Sequence, residues 1–500
     1  MSRSGDTILG DATAPSDRWL RRIWNRLPLT VRRTEQQLVS TGRRTVRLLR
    51  LLWLPLLIGI VVRAVLIPIS FDGDLATYAE AAASMSYGQP LYSYSFIYPP
   101  MWGLYLNALG HVVALFAPPT TWLSTNPTLQ GMYATTYTLV PPYSVNLSFV
   151  VLEKCSLVVF DLLSGLLIYG LASRITGREA TGRLAFALWF LNPLTILVSS
   201  LHGAFAVIPT FCVLAALVLC FEKSYGFSGA LIGMGTLFKL FPIFFAPMLI
   251  AITWRNSRSA SGRPYRSVGG FVVGLLVVSA PVLAGPGLLT GYLSTVFAPI
   301  GGNTLSYGGL GFWGIFSAPS LRFVLTDVAK QSSLTTFVVA ALAGVISVAV
   351  GFMLSRGPPL DWAVETRWLW GSLATAACGY LLTPFGQPQY QIWILPFALL
   401  LALGNRLFMG IFWVITIVSA LVYLLFIGGP LFFFLPLWYD FHVLSAQAYI
   451  GSVTYWRASF IPTYGPWVGE IDACALFLAL GISLWRVVRW KPIRPRGGGA

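Results

Sequence analysis

Apolar residues run in long, nearly unbroken stretches from Leu51 to Trp490, and polar residues gather in short bunches between them. Stretches such as Leu51–Ile69, Leu334–Leu354 and Ile471–Val488 supply the roughly 20 apolar residues that a helix needs to cross the hydrocarbon layer. The pattern predicts an all-α fold, a polytopic transmembrane helical bundle of about 12 spans filling residues 51–490 as one domain. Between the first and last of these stretches the expected crossings are Asn146–Leu171, Leu184–Ser200, Phe205–Phe221, a broken pair within Phe227–Trp254, Val268–Ala284, Leu334–Leu354, Trp368–Leu382, Ile392–Leu403 and Phe408–Phe426.

Parity decides two ambiguous regions. Arg174, Arg178 and Arg183 require a cytoplasmic loop after the second crossing, so Ser70–Val145 is expected as one long extracytoplasmic loop. Within it, Pro99–Ala117 reads as a juxtamembrane helix lying at the interface, because it is short for a span and carries Trp102, Tyr105 and His111. The stretch Phe227–Trp254 must pass an even number of times, which two half-helices broken at Lys239–Pro242 satisfy; a charge at such a break tends to line a cavity rather than lipid. Pro286–Ser333 and Gly428–Glu470, rich in Gly, Pro, Trp and Tyr, are expected as further external loops.

Composition changes this picture little. Hydrophobic residues make up 56% and charged residues 10% of the 500, which excludes a soluble globular protein. The net charge of +16 would suit nucleic acid, but the basic residues sit at the chain ends and in short loops, as cytoplasmic flanks do. Residues 1–50 read as a basic, partly disordered cytoplasmic tail and 491–500 as a second one, with both termini inside and anionic membrane lipids as their counterpart. No small-residue cleavage site follows the Leu51 stretch, so an uncleaved first helix is expected. The five cysteines are scattered through apolar runs, and neither a disulfide framework nor a metal site follows from them.

Charges at membrane depth cost several kcal/mol each (about 2.5–3.5 on insertion scales), so Arg63, Glu153, Lys154, Asp161, His202 and Lys239 need partners or tasks. Glu153 and Asp161 fall about two turns apart on one helix face, with Lys154 beside them as a counter-ion. Asp72 and Asp74, just after the first apolar stretch, read either as a general base at the membrane surface or as a solvated loop and helix N-cap. Arg63 reads as a phosphate ligand or as a side chain snorkelling to the interface, and His202 as a ligand contact or a satisfied interfacial residue.

A set of motifs occurs in order along the chain: Arg63, Asp72-Gly-Asp74-Leu-Ala-Thr-Tyr78, Gly88-Gln-Pro-Leu-Tyr92, Tyr98-Pro-Pro100, Glu153-Lys154 with Asp161, Leu191-Asn-Pro193 through Ser200-Leu-His-Gly203, Phe238-Lys-Leu-Phe-Pro242, and Gln387-Pro-Gln-Tyr-Gln-Ile-Trp393-Ile-Leu-Pro396. In that order they resemble the glycosyltransferase-C superfamily, in particular its bacterial and archaeal polyprenyl-phosphate-mannose-dependent branch and the catalytic subunit of the first GPI mannosyltransferase. The resemblance covers Trp53 to about Leu403. It implies sugar transfer from a polyprenyl-phosphate donor to a lipid-linked or envelope glycan acceptor on the extracytoplasmic side. It further implies Asp74 as base with Asp72 as its partner, and Lys239, Arg63, Arg457, His202, Tyr98, Gln389 and Tyr390 as groups that hold phosphate or sugar. One carboxylate suffices for attack with inversion, so no cofactor is required; a divalent cation is compatible with the chemistry but nothing in the sequence calls for one. The chain departs from the family where relatives continue His-Gly with Gln-Phe-Asp and this one reads His202-Gly203-Ala204-Phe205-Ala206. Two other classes share parts of the pattern: a lipid-glycan transporter or flippase, against which the absence of an internal repeat counts, and a non-catalytic, diverged assembly subunit.

Overall fold

A computed structural model describes residues 50–70, 73–93, 96, 98–125, 143–260, 263–297, 332–356, 366–382, 388–422 and 461–489. The chain divides at Leu54; of the first unit only residues 50–54, which are helical, are described, and everything below belongs to the unit from Pro55 onward.

The described residues are predominantly helical. Helix α1 is Arg50–Ile69. The loop after it holds two more helices, α2 (Gly73–Ser86) and α3 (Pro100–Val113), and then a short antiparallel pair, β1 (Leu123–Thr125) with β2 (Tyr143–Val145). This pair is a local feature of the loop in a fold that is otherwise helical, as expected. Trp122 anchors it: the indole Nε1 donates to the Ala117 carbonyl at 2.8 Å, and the Trp122 carbonyl accepts from Asn146 N at 2.9 Å. The pair is thereby pinned beside the start of the next helix. That helix, α4, runs Leu147–Thr176; the Asn146 side chain caps it by accepting from Ser148 N, and Gly177, at φ +67°, ends it.

Helix α5 (Glu179–Phe190) and α6 (Pro193–His202) form a continuous pair bent by 48°. The cause is local. Pro193 cannot continue the hydrogen-bond ladder of α5, and Asn192 starts a new helix by accepting from Leu194 N. The last six residues of α6, Leu197–His202, widen into a π-helix that stops at Gly203, where φ is +82°. A single widened turn of this kind is frequent at functional sites.

Helices α7 (Val207–Phe221), α8 (Tyr225–Phe238), α9 (Ala246–Ala260) and α10 (Pro264–Leu283) follow. The break expected at Lys239–Pro242 is present: α8 stops at Phe238, Lys239 is extended, and a 3-10 turn over Phe241–Phe245 leads into α9. Helices α8 and α10 meet backbone to backbone. A Cβ added to Gly229 would overlap the Phe271 carbonyl, and one added to Gly274 the Gly226 carbonyl, so both positions need glycine for the close approach.

Helix α11 (Leu288–Phe297) lies where a loop was expected. After α12 (Ser332–Ser355) and α13 (Arg367–Leu382), a 3-10 turn over Pro388–Trp393 leads into α14 (Leu395–Ala402), followed by α15 (Arg406–Val422) and α16 (Ile461–Val488). The last helix begins ten residues before the expected Ile471, inside what the sequence suggested was loop. Among the described residues four helices, α1, α4, α10 and Ile471–Arg489, are long and apolar enough to cross a membrane, and the bent α5–α6 pair makes a fifth candidate. The molecule is an integral membrane protein built of apolar helices.

Candidate functional site

Two sets of buried polar groups lie along the α1, α4 and α6 segments. The first is closed. Arg63 of α1 is 1% exposed, and its guanidinium meets Asp161 Oδ2 at 2.5 Å and the Phe190 carbonyl at 2.7 Å. Asp161 also accepts from Ser199 Oγ at 3.2 Å, and its main-chain carbonyl accepts from the Trp189 indole at 3.0 Å. The Phe190 ring covers the guanidinium at 4.1 Å. The partner of Asp161 is therefore Arg63, not Lys154, and Arg63 is turned to protein rather than to the interface or to an incoming phosphate.

The second set is open on one side. Asp74, in the first turn of α2, is about a third exposed, with Oδ2 3.2 Å from Nε2 of His202, which is buried. His202 is the last residue of the π-turn, and Gly203 lets the chain leave in the left-handed region immediately after it. The Tyr98 hydroxyl also donates to Asp74. Burial acts to raise the Asp74 pKa, but the His202 hydrogen bond and charge, the Tyr98 bond and the Lys239 charge outweigh it, and the carboxyl lies below its usual value. Burial and the neighbouring Asp74 charge push the Tyr98 phenol well up, so it stays protonated and available as a donor.

Lys239 enters from the broken segment. Its ammonium sits 3.8 Å from the Tyr390 ring centroid, 5.0 Å from Phe205 and 5.5 Å from Trp393. Ring faces thus hold a cation that no carboxylate of the described residues pairs within ion-pair distance. Tyr390 and Trp393 stack at 4.7 Å, and Trp393 stacks on Phe241 at 4.0 Å, which joins the Gln-Pro-Gln-Tyr stretch to the Lys239 break. On the other side Trp102 stacks on Phe205 at 4.4 Å, and Tyr78 and Tyr98 meet edge to face at 5.4 Å. Aromatic side chains from α2, α3, the turn after His202 and the Tyr390 segment therefore enclose one partly open carboxylate and one boxed ammonium.

Of the residues expected to form the site, Asp74, His202, Tyr98, Lys239 and Tyr390 come together here. Gln389 is 7% exposed and adjoins Tyr390 on the same 3-10 turn. Asp72, expected as the partner of Asp74, and Arg457 lie outside the described residues. Among the described residues it is His202 and Tyr98 that partner Asp74. Sequence reasoning did not find Asp472, fully buried on α16, which accepts a short hydrogen bond from Gln391 Nε2; Gln391 Nε2 also lies 3.3 Å from the Tyr380 hydroxyl. Its signal was a carboxylate within an apolar helix, the same signal that singled out Asp161.

Residues 80–296 match the family model described as GPI transamidase subunit PIG-U. That segment contains Tyr98, His202 and Lys239 but neither Asp74 nor Tyr390. The chain is also similar to two proteins named GPI mannosyltransferase 1. The Saccharomyces cerevisiae protein is 32% identical over 114 residues, 22% of this chain and 27% of the relative. The Eremothecium gossypii protein is 35% identical over 107 residues, 21% of this chain and 26% of the relative. The matched part spans about a quarter of the length of these curated relatives.

Chemically, the arrangement suits a polyol with an anionic group. A carboxylate that remains ionised can accept a hydroxyl proton, a desolvated ammonium can hold a phosphate oxygen, and ring faces can cover the apolar side of a sugar. Among the described residues no cluster of His, Cys, Asp and Glu could hold a metal ion.

Proposed function

We propose that this chain is an inverting membrane glycosyltransferase, a mannosyltransferase that takes its sugar from a polyprenyl-phosphate donor and passes it to a lipid-linked or envelope glycan acceptor. The carrying observation is the partly exposed Asp74 carboxylate, hydrogen-bonded to His202 and Tyr98 and facing the Lys239 charge. In this reading an acceptor hydroxyl loses its proton to Asp74 as its oxygen bonds to the anomeric carbon. The bond from that carbon to the phosphate oxygen breaks on the opposite face, and the phosphate leaves with the electron pair. Lys239 neutralises the charge that builds on the leaving phosphate, in an apolar surround where such an interaction is strong. The similarity to GPI mannosyltransferase 1 supports the choice of mannose. The chemistry is read on the extracytoplasmic side, with both termini in the cytoplasm and basic flanks as the reason.

A second reading has its own support. The family match to a GPI transamidase subunit spans more of the chain than either mannosyltransferase alignment, and a subunit of that kind would use the same aromatic-lined groups to hold a glycolipid without transferring a sugar. Label transfer from polyprenyl-phosphate mannose to native lipid extract separates the two. Product with the unaltered chain and none with Asp74→Asn supports the transferase. Retained glycolipid binding, with no product from mannose, glucose or arabinose donors, would replace it with the subunit reading.

A further inference from the structure

Lys154 is a fully buried cation whose hydrogen bonds join two segments of the site. It lies on α4, and its ammonium reaches away from Asp161. Nζ donates to the Ser70 carbonyl at 2.7 Å, to Ser70 Oγ at 2.9 Å and to the Leu201 carbonyl at 2.9 Å, with the Ile67 carbonyl at 3.5 Å. These acceptors belong to two separate strands of chain. Ile67 and Ser70 end α1, where the last carbonyls of a helix have no partner of their own, and the chain reaches Asp74 four residues later. Leu201 sits in the π-turn, one residue before His202. Ser70 Oγ is also 3.3 Å from the Ser200 carbonyl, so the two strands touch at this point as well.

Glu153, the preceding residue, is fully buried, and neither of its oxygens has a hydrogen-bond partner among the described residues. Its Oε2 lies against Gly203, where an added Cβ would come within 2.8 Å of it and within 3.3 Å of Lys154 Cε. Two adjacent residues of α4 thus address both ends of the His202 segment: the lysine holds Leu201, and the carboxylate occupies the space that Gly203 leaves.

We propose that Lys154 is the positioning residue of the site: it ties the end of α1 to the π-turn and so fixes the distance between Asp74 and His202. Its effect on sugar transfer rests on the transferase reading; its effect on the Asp74–His202 contact does not. Lys is suited to this task because its ammonium carries three donors on a long apolar stem and can satisfy carbonyls from two directions at once. A planar guanidinium in its place would have to open the gap between Ser70 and Leu201.

The test uses the full chain in detergent or nanodiscs. Lys154→Met should lower the turnover number for labelled polyprenyl-phosphate mannose at least 100-fold while changing the donor KM less than threefold. Ser70→Ala, which keeps the carbonyl contacts, should lower turnover about fivefold with the same KM pattern, and it decides the matter if Lys154→Met does not fold. The contact itself is read independently of activity by NMR of 15N-histidine-labelled protein. The sequence has three histidines, so replacing His111 and His442 leaves the His202 signal alone. Asp74→Asn should move that signal in the Lys154 background, and the movement should shrink at least by half in Lys154→Met or Ser70→Ala. Equal movement in all backgrounds, or turnover within threefold of wild type in a folded Lys154→Met protein, would overturn the proposal. If no background transfers sugar but the NMR coupling behaves as expected, the transferase reading fails and the positioning role stands.

Discussion

Arg63–Asp161 and Asp74–His202 both join a carboxylate to a basic side chain from a remote part of the sequence, and both lean on the α6 segment, yet they are built for different ends. The first is fully enclosed: a guanidinium and a carboxylate at 2.5 Å, with a main-chain carbonyl, a serine and a phenylalanine ring closing around them. The second is longer, at 3.2 Å, and leaves its carboxylate about a third exposed. Burying both members of an ion pair fixes one arrangement of helices; leaving one member accessible keeps a charge ready for a ligand. Exposure of the carboxylate is what separates the two pairs.

The largest effect expected is on the open pair. Asp74→Asn should cut label transfer about 1,000-fold, in the range that loss of a general base produces, while the thermal unfolding of the purified protein stays where it was. If transfer persists, Asp74 is not the base. The closed pair should respond in the opposite way. Asp161→Ala leaves the Arg63 charge buried without its carboxylate and should destabilise the fold by about 3–5 kcal/mol, visible as a large fall in detergent unfolding temperature, with activity per folded molecule little changed. An Asp161→Ala protein of unchanged stability that no longer transfers sugar would erase the contrast.

A smaller effect separates the members of the open pair. His202→Gln should lower transfer about tenfold, the scale of one charge-assisted hydrogen bond, and it should also move the acid limb of the rate–pH profile. His202 is one of the groups holding the Asp74 carboxyl below its usual value, with Tyr98 and Lys239 the others. Removing it raises that value, so protonation silences the base at a higher pH and the acid limb shifts upward. A limb that stays put would mean that the limb reports another group. The smallest change is expected at the aromatic box. Tyr390→Leu removes the ring nearest the Lys239 ammonium and should raise the donor KM about threefold, in line with a cation–π contribution of about 0.5–1 kcal/mol.

Much of this site was readable from the sequence because charge is scarce in it. Asp74 after the first apolar run, Lys239 at a break, and His202 before a glycine each stand out against hydrophobic neighbours, and the break at Lys239 falls where the sequence placed it. The partners were not readable. Arg63 and Asp161 are 98 residues apart and meet only because α1, α4 and α5 pack together, so Arg63 looked like a phosphate ligand when read alone. Lys154 looked like a counter-ion for the carboxylates on its own helix, because spacing along a helix reports faces but not which carbonyls a long side chain can reach. Asp472 and Gln391 are 81 residues apart, and no periodicity links them. Helical pattern also left no trace of the π-turn that aims His202, since a single widened turn changes hydropathy not at all.

The glycine seam between α8 and α10 has a mechanical consequence. With main chain against main chain at Gly229 and Gly274, the two helices cannot slide without collision, and they act as a single strut. Lys239 hangs from the end of that strut, so it is the fixed jaw of the Lys239–Tyr390 pair. On the proposed transferase function, the widening needed to admit a long-chain phosphate is therefore expected on the far side of the break, where the Phe241–Phe245 turn and the Tyr390 segment rest on each other through stacked rings.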